Sequence, residues 1–186
     1  MDVHPSAGKK GNRMQGRVLI IAGSDSGGGA GIQADLKTVT ALGGHAATAL
    51  AALTAQNTLG VQGVLPVPLD FIRLQMRMVL EDIGADALKT GMLATREVIE
   101  TVADEITTSA PGVPLVVDPV MVAKGGYRLL EDAATEALIE RLAPLATVLT
   151  PNVPEAEVLV GHAPARPRGP RRRRPRLTRP GAPRRC

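Results

Sequence analysis

The sequence predicts an α/β fold, a mostly parallel sheet with helices on both faces, on three observations. Short apolar runs rich in Val, Ile and Leu alternate with segments of helical spacing. Gly-rich or polar punctuation follows the runs, at the carboxyl ends of strands where open α/β sheets bind ligands. The chain has 186 residues, 44% of them hydrophobic, enough to bury one sizeable core. Alternation of this kind covers both faces of a sheet because each parallel crossover lays a helix across it.

The elements follow in order. Arg17–Ala22 (RVLIIA) is a β-branched run ended by Gly23, and Gly31–Leu42 has helical composition until Gly43-Gly44 stops it. His45–Leu53 is small and apolar; such Ala-rich runs fit strand or helix by pattern, and it is read as a strand. Pro68–Asp82 sets Phe71, Leu74 and Met78 at i, i+3 and i+7, the apolar stripe of a helix, before Ala87-Leu88 leads as a strand into Lys89-Thr90-Gly91. Glu97–Ile106 repeats the helical pattern with Ile99, Val102, Ala103 and Ile106 on one face. Pro114–Val117 (PLVV) then reads as a buried strand ending at Asp118-Pro119. Glu131–Leu142 spaces Ala134, Leu138 and Leu142 by four, Thr147–Leu149 is a short strand, and Pro151 interrupts before a helical start at Pro154-Glu155. The body contains no internal repeat.

Charge divides the chain into three parts: a polar leader over 1–16, expected to be disordered, a regular body over 17–162, and a tail over 163–186. The net charge of +4 resides in the tail, which holds ten Arg and six Pro and no acid. Residues 1–162 carry twelve basic and eighteen acidic residues, a balance of −6. An acidic body with 1% aromatic residues offers no stacking platform for bases, which argues against a nucleic-acid partner. The single Cys, Cys186, excludes internal disulfides and multi-cysteine metal sites and suits a reducing compartment. The leader lacks the apolar run of a signal peptide and no stretch has the length of a membrane span, so a cytoplasmic protein without a membrane partner is expected.

Chemistry is expected just after each strand. Ala22–Asp35 (AGSDSGGGAGIQAD) joins a strand to a helix through Gly27, Gly28, Gly29 and Gly31. It satisfies neither the Walker A pattern nor G-x-G-x-x-G, so binding of a phosphate or polar ligand and a tight turn are both open. Gln56, in LTAQNTLGVQGV (Leu53–Val64), fits a loop-capping amide; Met92, in KTGML, fits an ordinary core residue; and Lys89 at a strand end fits a surface charge. Asp118 before Pro119 fits a turn, and equally a carboxylate pointed into a cleft at Mg²⁺ or its waters. In TPNVPE (Thr150–Glu155), Asn152 and Glu155 straddle a helix start and have the spacing of a capping box.

Taken together, AGSDSGGGAGIQADLKT, LTAQNTLGVQGV, KTGML, VDPVM with Lys124-Gly125-Gly126, and TPNVPE resemble, in order, the signatures of hydroxymethylpyrimidine/phosphomethylpyrimidine kinases of the ribokinase-like superfamily. The resemblance covers residues 17–162. It implies ATP-dependent phosphorylation of 4-amino-5-hydroxymethyl-2-methylpyrimidine and its monophosphate in thiamine synthesis, with ATP and Mg²⁺ as cofactors and a possible homodimer. It implies that Gly23, Asp35, Gln56 and Met92 hold the pyrimidine, and that Asp118, Asn152 and Glu155 surround Mg²⁺ and the phosphates. One Gln amide can meet both a ring nitrogen and the neighbouring exocyclic amine, and a thioether suits a flat heteroaromatic face. Pyridoxal-type vitamin kinases share the fold and some signatures and are the nearest competing assignment.

The family's late Gly-rich motif, G-[TA]-G-[CD], whose helix N-terminus faces the transferred phosphate and whose last residue acts as base, is not found. No catalytic residue is therefore assigned, and the sequence reads as a ribokinase-like domain with its C-terminal third missing and its activity severely reduced. The alternative is a non-catalytic pyrimidine-binding or misfolded fragment. The tail reads as a shifted frame of a GC-rich gene, where Arg, Pro, Gly and Ala codons dominate. Its competing reading is an arginine-rich arm for nucleic acid or another anionic surface.

Overall fold

A computed structural model describes residues 16–121 and 132–161. All of the leader but Gly16, the Lys124-Gly125-Gly126 signature and the Arg/Pro tail lie outside the described residues. Six strands form one sheet in the order β3-β2-β1-β4-β5-β6. They are β1 (Arg17–Asp25), β2 (His45–Asn57), β3 (Gly60–Pro66), β4 (Ala87–Thr90), β5 (Leu115–Val117) and β6 (Val148–Leu149). All neighbours pair in parallel except β2 and β3. The helices are α1 (Gly31–Ala41), α2 (Leu69–Asp82), α3 (Arg96–Ser109), α4 (Asp132–Ala137) and α5 (Val153–Val160).

Alternation along β1 splits the core in two. Leu19 and Ile21 enter the larger cluster, with Ile72 and Met76 of α2 and Ile99 and Val102 of α3, whereas Ile20 and Ala22 face the other way and meet Ile32 of α1. Helices therefore cover both faces, as expected. The expected stripe on α3 is buried, with Ile99 and Val102 fully enclosed, so truncating Ile99 to Ala would cost about 2–5 kcal/mol. Ala134, Leu138 and Leu142 are buried as well. Their segment is not one α-helix: α4 passes into a π-helical turn over Leu138–Leu142 and a 3₁₀ turn over Ala143–Leu145.

Two expectations need correction. Leu53–Val64 was expected to hold a loop, but β2 continues to Asn57 and turns into β3 as an antiparallel hairpin. Asn57 makes that turn by accepting the Leu59 and Gly60 amides at its Oδ1 (2.9 and 3.3 Å), the Asx arrangement that short polar side chains favour. On α2 the expected apolar stripe is the outer one, with Phe71, Leu74 and Met78 exposed at 53%, 50% and 61%. The inner stripe is Ile72 and Met76, both fully buried. The helix is turned that way by β2, where Gln75 bonds both backbone groups of Leu50, and by α3, where Arg77 grips Glu105 with two bonds of 2.9 and 3.1 Å.

Glu105 is 1% exposed and its ion pair is consequential for stability. Burial pushes its carboxyl up, but hydrogen bonds from Arg77 and from Ser109 (2.5 Å), with the charges of Arg77 and Arg73, outweigh burial and hold it below the usual carboxylate value. Removing Arg77 would leave a buried carboxylate short of its main partner, the costly case for an internal charge.

Candidate active site

Strand order reverses at β1 and β4, because β1 is followed on one side by β2 and on the other by β4. Open sheets form their ligand crevice at that switch point, beyond the carboxyl ends of the strands. A cavity of about 320 Å³ opens there, within the size range of small-molecule sites. Gly23, Asp35, Gln56, Met92 and Asp118, all expected to contact ligand, line it.

The Gly-rich loop is a turn built around its own anion. The Asp25 carboxylate, 6% exposed, accepts the amides of Gly27, Gly29 and Ala30 at 2.8–2.9 Å, so these donors are spent inside the protein and do not face a phosphate. These three amides take the turn reading, while Gly23 and Asp35 at the ends of the same segment line the cavity. Gly31 closes the turn at φ +55, and a Cβ there would lie 2.4 Å from the Gly23 carbonyl oxygen. Lys37 adds a bond to the Gly28 carbonyl at 2.7 Å.

Gln56 stands near the end of β2, opposite a bulge in β3: Ala55 pairs with Gly63 and Gln56 with Val61, which leaves Gln62 as the extra residue. Ser26 fixes the backbone of Gln56 on both sides, donating to its carbonyl at 2.7 Å and accepting its amide at 2.8 Å. The Gln56 Oε1 lies 3.2 Å from the Thr54 hydroxyl, whose single proton also reaches the Ser24 carbonyl at 2.8 Å, while the Gln56 amide nitrogen has no protein partner among the described residues. The side chain thus keeps its donors free for a ligand.

Met92 lies against Gly23 so closely that a Cβ on Gly23 would sit 2.4 Å from its methyl carbon, and the Gly23 amide bonds the Met92 carbonyl at 3.1 Å. After it the chain reverses at Ala94, which has φ 65 and is spanned by a bond from the Thr95 amide to the Leu93 carbonyl at 2.8 Å. Positive φ is unfavourable for Ala, and the surrounding contacts must hold it.

Two residues that matter here were given no site role in the sequence: Asp25, and Lys89, read as a surface charge but only 20% exposed, with its ammonium 2.7 Å from Asp35 and 3.5 Å from Asp118. An Asp two residues before Gly27 is itself a turn signal. For Lys89 the signal was alternation. It pairs in register with Ile20, on the α1 side of the sheet, whereas Leu88 and Thr90 point into the larger core. There the Thr90 hydroxyl is fully buried without a hydrogen-bond partner among the described residues.

Asn152 and Glu155 stand apart from the cavity lining. They form a reciprocal capping box at the start of α5: Asn152 Oδ1 accepts the Glu155 amide at 3.0 Å, and Glu155 accepts the Asn152 amide at 2.9 Å. Among the described residues no group of three His, Cys, Asp or Glu gathers to hold a metal. Asp118 lines the cavity with its carboxylate 3.5 Å from the Lys89 ammonium, and one carboxylate with waters and substrate phosphates is a common way of holding Mg²⁺. No helix among the described residues is long and apolar enough to cross a membrane.

Comparison with known proteins agrees with this fold. The chain is 54% identical over 144 residues to the hydroxymethylpyrimidine/phosphomethylpyrimidine kinase of Streptomyces coelicolor, covering 77% of this chain and 53% of that one. It spans about half the length of the curated relatives it matches. Phosphomethylpyrimidine kinase from Clostridium difficile superposes with a TM-score of 0.73 at 48% identity, over 78% of this chain and 62% of that chain. The Staphylococcus aureus pyridoxal kinase, solved with AMP-PCP and pyridoxal, gives 0.68 at 43% identity, over 78% of this chain and 51% of that one. A sequence model of the family described as phosphomethylpyrimidine kinase matches residues 25–182, past the point where the motifs end. With that match extending over most of its length, the chain belongs to the phosphomethylpyrimidine kinase family.

Proposed function

We propose that this chain carries the pyrimidine-binding part of an ATP-dependent kinase that phosphorylates 4-amino-5-hydroxymethyl-2-methylpyrimidine and its monophosphate in thiamine biosynthesis. The observation that carries the reading is the convergence of Gly23, Asp35, Gln56 and Met92 on one cavity at the switch point of the sheet. In it the free amide nitrogen of Gln56 donates to a ring nitrogen while its oxygen accepts from the exocyclic amine. Met92 lies along the ring face, with the bare backbone of Gly23 behind it. Asp35, fixed by Lys89, offers a second acceptor, and Asp118 marks the side from which the phosphoryl group arrives.

Bound MgATP supplies the phosphoryl group and neutralises its charge. The residues of this chain orient the acceptor and keep water from it, the positioning on which phosphoryl transfer depends. ATP as cofactor is supported by the nucleotide complexes of the pyridoxal kinase relatives. Mg²⁺ at Asp118 is supported by that residue's place at the cavity edge. Asn152 and Glu155 act on the phosphate side through the shape of the α5 start. A cytoplasmic homodimer belongs to the same proposal, with the exposed Phe71, Leu74 and Met78 as the apolar surface available for pairing.

Thermal unfolding of the purified chain with the hydroxymethylpyrimidine, its monophosphate or pyridoxal tests the reading. The pyrimidines are expected to raise the melting temperature in a saturable way and pyridoxal less. A shift with pyridoxal alone would move the assignment to the pyridoxal-type kinases, and no shift with any of them would refute it. Incubation with MgATP and the pyrimidine, followed by ³¹P NMR, measures how much transfer the chain sustains by itself.

A further inference from the structure

Lys89 lines the cavity and touches more than Asp35. It projects from β4 to the α1 side, where its ammonium reaches Asp35 of α1 at 2.7 Å and Asp118, beyond β5, at 3.5 Å. The three side chains are only 20–35% exposed. Room for the ammonium is left by Gly91, where a Cβ would stand 3.3 Å from Lys89 Nζ. A lysine at a strand end that served solubility alone would extend into water. This one spends its charge between two carboxylates that α1 and the segment after β5 bring together.

Resting on the functional reading above, we propose that Lys89 is a positioning residue, a counter-ion shared between the pyrimidine side and the cation side of the cleft. An ammonium has three donors and no acceptors, so it can hold Asp35 and Asp118 together and still present a hydrogen to the cavity. Its two attachments have opposite consequences for ligands. At Asp35 it fixes the carboxylate in the rotamer that faces the pyrimidine, so its loss weakens pyrimidine binding. At Asp118 it occupies the place of a cation, so its loss removes a competitor and strengthens divalent-ion binding. A residue with a merely structural role would move both affinities the same way or neither.

The test is a pair of titrations on the full chain and on K89M: hydroxymethylpyrimidine by calorimetry, and Mn²⁺, as a probe for Mg²⁺, by water-proton relaxation. Lys89→Met is expected to weaken pyrimidine binding and tighten Mn²⁺ binding, each by about fivefold or more, the scale on which adjacent charged groups couple. K89Q, one bond shorter and uncharged but still polar, must give the same opposite signs should K89M not fold. Changes of the same sign, no change, or a parent chain that binds pyrimidine but not Mn²⁺ would overturn the role of Lys89 and leave the pyrimidine site intact. A parent chain that binds no pyrimidine would overturn both.

Discussion

Gly23 and Gly31 give the sharpest contrast the fold offers, because an added Cβ would meet a neighbour at 2.4 Å in both places. At Gly31 the neighbour is the carbonyl oxygen of Gly23, part of the backbone, and φ is +55. Alanine there costs about 1–2 kcal/mol for the left-handed conformation. A contact the main chain cannot relieve adds about 1–3 kcal/mol. The total of about 2–5 kcal/mol lowers the melting temperature by roughly 5–20 °C in a domain of this size. At Gly23 the neighbour is the terminal methyl of Met92, which can swing aside, and the backbone is unstrained. Gly23→Ala should change stability by no more than about 1 kcal/mol, since the stiffer unfolded chain offsets part of the contact. The displaced methyl enters the cavity instead, and pyrimidine affinity should fall about tenfold, or 1.4 kcal/mol. Differential scanning calorimetry and ligand titration on both variants check this. Equal losses of melting temperature in G23A and G31A would refute the reasoning, as would a G23A variant that binds like the parent.

Thr90→Val replaces a fully buried hydroxyl that lacks a partner, and should raise stability by about 1 kcal/mol in denaturant unfolding; a loss would mean that the hydroxyl is satisfied. Asn152→Ala removes half of the α5 capping box and should cost about 0.5–2 kcal/mol by the same measurement. If it also leaves pyrimidine binding unchanged, the separation of this box from the cavity is supported. The Asp86 carboxyl is lowered from 3.8 to about 2, chiefly by the Arg17 side-chain hydrogen bonds and then by the Arg17 amide. A lowered carboxyl contributes stability that is present above pH 3.8 and lost as pH falls through about 2. NMR titration should place the Asp86 midpoint near the lower value, and Asp86→Asn should remove that part of the acid dependence.

The parallel strands were legible in the sequence because burial on both faces leaves continuous apolar runs, and RVLIIA and PLVV could be little else. The α3 face was legible because only one of its faces is apolar. α2 was not, since it carries two apolar stripes, and which one is buried depends on β2 and on Glu105 of α3, both remote in sequence. The β2–β3 hairpin was missed because Ala-rich and Gly-rich strands carry weak alternation. In the site, residues whose chemistry depends on a ligand could be named by resemblance, and five of the seven meet in one cavity. What pattern could not supply were interactions between distant segments: the Asp25 carboxylate that consumes the loop amides is local, but Lys89 between Asp35 and Asp118 exists only once β4, α1 and β5 are assembled.

In the proposed function, the cavity at the β1/β4 switch point holds an aminopyrimidine through Gln56. Calorimetric titration of 4-amino-5-hydroxymethyl-2-methylpyrimidine into the chain and into Gln56→Ala is the decisive test. Two hydrogen bonds from one amide are worth about 1–3 kcal/mol, so the substitution should weaken binding by roughly 5- to 150-fold without lowering the melting temperature of the free protein. Equal affinity of the two proteins, or no saturable binding by the parent chain, would contradict the account.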